Sequence, residues 1–323
     1  MKMDDIAKLA GVSKASVSRV LNDKPNVSKK LREKVERVLQ EHDYQPNLIA
    51  QALNTKKSKL IGVLLPAIGL DLFSDIVNGI SSVLQTFGYE LILADYGADT
   101  SRAIKNFDVF RSKQVDGIVY FPTDSSPEHV AYINQIKIPI IVLGTHPKGL
   151  DKKSVSFPDV AASEEIIKHF INKGCKNITH ISMPEGHAVG KIREEAYRDM
   201  LSKHGLAPRV LYVDDISYES GYNIGPKLLN EDALFVAMDR MAIGLIRYLI
   251  DQDRVKDYMI AGIDNMEVSS MYAPSLTTIE FDYFESGRVS GKMVLDTIEG
   301  KAVASLVMPY QLIERESTRR KNV

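Results

Sequence analysis

The chain has 323 residues, a net charge of −1 at pH 7 and a single cysteine, Cys175. One cysteine excludes an intrachain disulfide and a cysteine-cluster metal site, and no apolar run approaches the roughly eighteen residues of a membrane helix. The near-zero charge conceals an asymmetry: residues 1–60 carry 13 Lys and Arg against 7 Asp and Glu, a net +6, while the remainder carries −7. Only the N-terminal head is electrostatically suited to a polyanion.

The head reads as three helices. Ile6, Leu9 and Ala10 share one face of the first, Gly11 permits a sharp turn, and Ser13 can cap the second. Val17, Val20 and Leu21 give the second helix a buried stripe at period 3.6, leaving Lys14, Ala15, Ser16, Ser18 and Arg19 facing outward. Two short helices with a tight turn, the second presenting small, hydroxyl and basic side chains, match a helix-turn-helix that fits the DNA major groove. The alternative is an ordinary amphipathic hairpin. Val27-Ser28 offers a cap to a third helix, with Leu31, Val35, Val38 and Leu39 at helical spacing. Pro46 then ends the preceding segment and Asn47 can cap a further run through Leu53, too short to hold a helix in isolation. This run reads as an element that folds only when docked, or as a plain connector, before the polar linker at 55–59.

The body alternates strands and helices. Continuous apolar runs at 60–65, 90–94, 117–121 and 138–143 read as strands, with an amphipathic helix at 73–87. After Asp159 the alternation restarts: helix 163–172, strand 178–181, helix 193–204, strand 210–213, strand 233–237, helix 241–251 and strand 259–263. Such alternation argues for α/β architecture with parallel sheets flanked by helices. Two such series suggest two lobes with a ligand cleft at the C-terminal strand ends.

The residues Asp5-Ile6-Ala7, Gly11-Val12-Ser13, Val17-Ser18-Arg19-Val20, Asn22, Val27-Ser28, Arg32 and Val35 resemble the head of the LacI/GalR family of transcriptional regulators. Tyr44, Pro46-Asn47, Ala50 and Leu53 resemble that family's hinge. The resemblance implies a helix-turn-helix domain at 1–46, a hinge helix and linker at 47–59, and an effector-binding, dimerising body at 60–323. The body's lobes are then like those of periplasmic sugar-binding proteins, 60–157 with 284–308 and 158–283 with 309–317. Lys14 and Ala15 fall where such proteins choose operator sequence, with Arg19 a further base reader. Ser13, Ser16 and Ser18 fall at phosphate contacts, and Asn22, Asn47 and Ala50 complete the DNA-facing set. Leu53 sits where a leucine from each subunit wedges into the minor groove at the centre of a palindromic operator, an apolar wedge that unstacks a base step.

For the cleft, Arg193 in Arg193-Glu194-Glu195-Ala196-Tyr197 matches a family signature whose arginine donates to effector hydroxyls or a carboxylate; a surface arginine is the alternative. Asp264 resembles an aspartate that accepts from sugar hydroxyls, or else caps the next helix. Phe73 resembles an aromatic residue covering a sugar ring, or belongs to the core. Asp239 matches an aspartate that more often caps a helix than touches ligand. Met238 and Gly144-Thr145 depart from the family's polar residues, so a ligand there is less densely hydrogen-bonded or differently oriented. His187 and Lys191 are unpaired polar residues near the mouth that could meet a phosphate, or are solvated.

The sequence has no Gly-x-Gly-x-x-Gly, phosphate-cradling loop, Gly-x-Ser-x-Gly elbow or His-Glu-x-x-His, and enzymatic readings gain no support. A secreted sugar-binding protein would need an apolar leader that Met1–Asp5 does not begin. The expectation is a cytoplasmic, nucleoid-associated repressor without cofactor or metal. It would bind double-stranded operator DNA as a homodimer through the helices near 73–84 and 163–169, and be released by a carbohydrate effector, a sugar or a sugar phosphate. The runner-up is a regulator corepressed by a purine or a phosphoprotein. The C-terminal residues show no leucine heptad, which favours a dimer over a coiled-coil tetramer.

Overall fold

The computed structural model describes residues 3–21, 25, 27–42, 57–97 and 99–319. The chain divides into two units, Met1–Lys59 and Leu60–Val323.

The first unit contains α1 (Met3–Ala10), α2 (Lys14–Leu21) and α3 (Lys29–Glu41). Its core is small: Ile6, Ala7, Ala10, Val17, Val20, Val35 and Val38 are buried, and Val12, Leu21, Leu31 and Leu39 pack around them. Leu9, expected inward, is 53% exposed. The stripe of α1 runs along Ile6, Ala7 and Ala10, so Ala7 takes the inner place and Leu9 lies outside it. Gly11 ends α1 with φ +60°; its N–H donates to the Lys8 carbonyl at 3.1 Å while Val12 N–H reaches Ala7 O at 3.0 Å. This paired closure satisfies two terminal carbonyls and needs a left-handed residue. Gly11→Ala is therefore expected to cost the head about 1–2 kcal/mol, read as faster amide hydrogen exchange across α1 and α2.

The second unit is built on two six-stranded sheets. The first contains β1 (Leu60–Leu65), β2 (Glu90–Asp95), β3 (Gly117–Tyr120), β4 (Ile140–Leu143) and β5 (Lys153–Ser156). Helices α4 (Asp71–Thr86), α5 (Thr100–Ser112) and α6 (Pro127–Gln135) connect its strands. The second sheet contains β6 (Ile178–Ser182), β7 (Arg209–Tyr212), β8 (Ala233–Val236), β9 (Met259–Ile263) and β10 (Thr277–Phe281). Around it lie α7 (Asp159–Asn172), α8 (Ala188–Lys203), α9 (Tyr218–Asn223), α10 (Asp239–Asp251) and α11 (Glu267–Met271). After α12 (Tyr283–Ile298), β11 (Leu306–Val307) joins the first sheet and β12 (Tyr310–Ile313) the second.

The strand orders are β11-β5-β4-β3-β1-β2 and β12-β10-β9-β8-β6-β7. The first sheet is parallel throughout; in the second only β12 runs antiparallel, against β10. Central strands such as β3, β4, β8 and β9 are buried along their whole length, as helices on both faces require. The chain passes between sheets after β5, after β10 and after β11. Loops at the C-terminal strand ends of both sheets consequently face a common interior space. No helix among the described residues is long and apolar enough to cross a membrane.

Candidate functional site

In the head, Ser13 caps α2: the Ser16 N–H donates to Ser13 Oγ at 3.1 Å. The cap fixes the start of the helix and places Lys14 and Ala15 in its first turn. Lys14, Ala15 and Arg19 are exposed, Ser16 and Ser18 half-buried, because Val17 and Val20 take the inner face. Lys14 Nζ lies 2.9 Å from Asp4 Oδ2, and both side chains are more than half exposed. A pair of this kind contributes at most about 1 kcal/mol and is readily exchanged for a phosphate or a base edge. Asp4→Asn releases Lys14 and removes a repelling charge, so affinity for operator DNA is expected to rise up to about 5-fold at low salt and less as salt increases. Fluorescence anisotropy over a salt series measures this. Asn22, Asn47, Ala50 and Leu53 fall outside the described residues.

In the body, the loops after β1, β3, β4, β6, β7, β8 and β9 enclose a cavity of about 270 Å³. Four of the five residues expected at a ligand, Phe73, Arg193, Met238 and Asp264, line it. Phe73 is 3% exposed and belongs to the core as well; its ring stands edge-on to Phe121 at 5.1 Å. Phe157, between the sheets, packs on Tyr283 at 5.2 Å.

Arg193 is 4% exposed rather than a surface residue. α8 begins at Ala188, earlier than the expected Arg193, so this arginine projects from the helix interior. Its Nε donates to Asp159 Oδ1 at 2.8 Å, its Nη2 lies 2.7 Å from the same oxygen, and Nη1 donates to the Ala237 carbonyl. Burial opposes the charge, but Asp159, Asp264 and Tyr283 outweigh it and hold the guanidinium pKa above its usual value.

Asp264 has φ +125° and the following Asn265 φ +50°, a left-handed pair that non-glycine residues adopt only when the surroundings impose it. The bend carries the carboxyl away from α11, whose N-terminus it does not cap. Asp264 Oδ1 instead accepts from the Tyr283 hydroxyl at 2.6 Å, while Oδ2 is buried without a partner. Burial lifts its pKa to about 7, Arg193 opposing and Asp239 adding to the rise.

Asp239 lies beneath the cleft and lines no part of the cavity. It is fully buried, accepting from Thr278 Oγ1 at 2.7 Å, Ser269 Oγ at 2.7 Å and Met266 N at 3.3 Å. Its carboxylate is thus spent on holding α11 and β10 together, and desolvation raises its pKa to about 6. His187 is not unpaired: Nδ1 accepts from the Gly190 N–H at 3.3 Å and caps α8. Burial, then the charge of Arg193, lowers its pKa and favours the neutral ring. Lys191 is exposed beside Glu195 at 4.0 Å and does not line the cavity.

Two further residues, Asp159 and Tyr283, join Arg193 and Asp264 in the polar lining, which Asp214 and Asp215 extend. Asp159, at the first crossing between sheets, had one sequence signal: an acidic residue opening a helix where the strand–helix alternation restarts. Gly144, at φ +92°, leaves no room for a side chain, since a Cβ would stand 2.6 Å from the Phe121 ring. The neighbouring Thr145 Oγ1 is buried without a partner.

Comparison with known proteins places both units. Residues 2–47 match the family described as bacterial regulatory proteins, lacI family, and residues 167–318 match the periplasmic binding protein-like domain. The chain is 30% identical to catabolite control protein A of Priestia megaterium, covering 98% of each chain. It is 29% identical to the ribose operon repressor of Halalkalibacterium halodurans, over 98% of this chain and 96% of that one. The crystal structure of the lac repressor dimer bound to operator and an anti-inducer superposes with a TM-score of 0.90 at 28% identity, over 98% of this chain and 99% of that one. A helix-turn-helix head followed by a two-sheet ligand-binding body, matched across nearly the whole length, makes this chain a member of the LacI family of transcriptional regulators.

Proposed function

We propose that the protein represses transcription in the bacterial cytoplasm, at the nucleoid. Two copies would bind a palindromic operator and leave it when a sugar occupies the cleft. The proposed DNA unit is 1–46 with a hinge at 47–59, and the effector unit is 60–323. The observation that carries the effector part is Asp264: a strained, buried carboxyl that lines the cleft with one oxygen unpartnered, next to an arginine already fixed in place. A ligand hydroxyl would complete that hydrogen-bond set. Effector binding then shifts the two lobes between states of different operator affinity, which is all that coupling requires.

Operator binding measured with and without a panel of mono- and disaccharides tests this reading: release by a sugar supports it, and tightening by a purine or a phosphoprotein would establish corepression instead. Within the head, Lys14→Ala is expected to change which operators a binding-site selection recovers. Ser16→Ala should weaken all of them alike, since phosphate contacts carry no sequence information. Identical preferences for the parent and Lys14→Ala would remove Lys14 from the reading set.

A further inference from the structure

We propose that the cleft selects an uncharged ligand with an apolar face and rejects phosphorylated or carboxylated ones; this rests on the reading of the cleft as the effector site. Among the described residues lining the cavity, Arg193 is the one arginine and there is no lysine, against Asp159, Asp214, Asp215 and Asp264. Three of the five guanidinium N–H groups of Arg193 are already committed, two to Asp159 and one to the Ala237 carbonyl. An anion would have to displace Asp159 or sit beside it without a counter-charge, at a desolvation cost that excludes tight binding. His187 adds no charge, because its Nδ1 is an acceptor for the Gly190 N–H.

Two unpartnered polar atoms of the cavity lining point the same way. Asp264 Oδ2 and Thr145 Oγ1 are both buried and unpaired. A neutral hydroxyl or amide donates to the first and serves the second in either sense, whereas a phosphate offers only acceptors and would repel the carboxylate. Much of the remaining surface is apolar, with aromatic and thioether groups from Phe73, Phe121, Phe157, Met183 and Met238 beside aliphatic side chains. The charge beside the cleft reinforces the selection. An adjoining pocket of about 530 Å³ shares Leu70, Leu72, Met238, Asp264 and Tyr283 with the cavity and has Asp71, Asp75 and Glu267 on its walls. The cation there, Arg240, donates one Nη1–H to the Gly69 carbonyl at 3.0 Å and lies 4.8 Å from the centre of the Tyr218 ring, while its Nε is buried without a partner; it faces three carboxylates on the same walls. Carboxylates this close to the cleft disfavour an anion at its edge.

The test uses full-length protein on operator DNA. The probes are the neutral and anionic fractions of a small-molecule extract of the source bacterium separated on an anion exchanger, and methyl and nitrophenyl glycosides paired with their phosphates. The neutral fraction is expected to lower operator affinity about 10-fold or more, within the usual range of coupling, with the anionic fraction inactive and each phosphate weaker than its parent glycoside. Activity confined to the anionic fraction and destroyed by phosphatase would overturn the proposal while leaving the cleft as the effector site. Equal activity in both fractions also overturns it, because selection is what is claimed. Activity in neither would overturn the effector reading itself.

Discussion

Replacing Arg193 with alanine is expected to remove about 3–5 kcal/mol from the stability of the body and to abolish its response to effector. The guanidinium is 4% exposed and pairs with a carboxylate at 2.7 Å. Its loss leaves the Asp159 carboxylate, largely shielded at 12% exposure, without a counter-charge and takes from Asp264 the neighbour that opposes its rise in pKa. Urea denaturation of the parent and Arg193→Ala measures the first effect. The double variant Arg193→Met with Asp159→Leu separates stability from function. Two apolar groups of similar volume should restore most of the folding free energy, yet the protein should remain bound to operator in the presence of a sugar that releases the parent. A double variant that still responded would show that the pair is structural only.

Asp264→Asn should behave in the opposite sense. The Asp264 carboxyl is raised by burial from an ordinary 3.8 to about 7. A group raised in the folded state favours folding while protonated; that contribution is complete below about pH 4 and is lost as pH climbs through 7. The asparagine never ionises. Asp264→Asn should therefore match the parent near pH 4 and exceed it by roughly 2–4 kcal/mol near pH 9, while losing effector response because one acceptor oxygen becomes a donor. Asp239, raised to about 6 mainly by burial, is present in both proteins; its charge adds to the rise at Asp264, so part of the difference between the profiles is that coupling. Denaturation midpoints across this pH range provide the measurement, and parallel profiles for the two proteins would remove Asp264 as the source.

Strands built from apolar runs were readable without the structure: β1 and β9 begin and end where their hydrophobic stretches do. β10 was not, because Thr277 and Thr278 look like surface residues although both are fully buried. Their hydroxyls are satisfied by Thr318, Arg315 O and Asp239, partners distant in sequence. α12 was hidden for a related reason: its inner face includes Ser286, Gly287, Ser290 and Gly291, which allow α4 to approach closely but show no apolar stripe. Leu9 erred in the other direction, a leucine at an acceptable helical spacing that lies outside the buried stripe of Ile6, Ala7 and Ala10.

The sequence by itself determined the two kinds of unit, a basic three-helix head and an α/β body, because charge segregation and hydrophobic period are local properties of the chain. It also placed Lys14, Ala15 and Arg19 on the outward face of the second helix, since the turn glycine, the capping serine and the buried valines lie within a few residues of them. Only the tertiary structure decided the chemistry of the cleft. Arg193, Asp159, Asp264 and Tyr283 come from separate elements and meet where loops of both sheets converge, so burial and pairing set which charge survives. The same packing assigns Asp239 to the support beneath the cleft and Asp264 to its surface. The sequence leaned toward helix capping for Asp239 and toward a ligand for Asp264 without fixing either; the hydrogen bonds each receives on folding saturate the first and leave one oxygen of the second unpartnered.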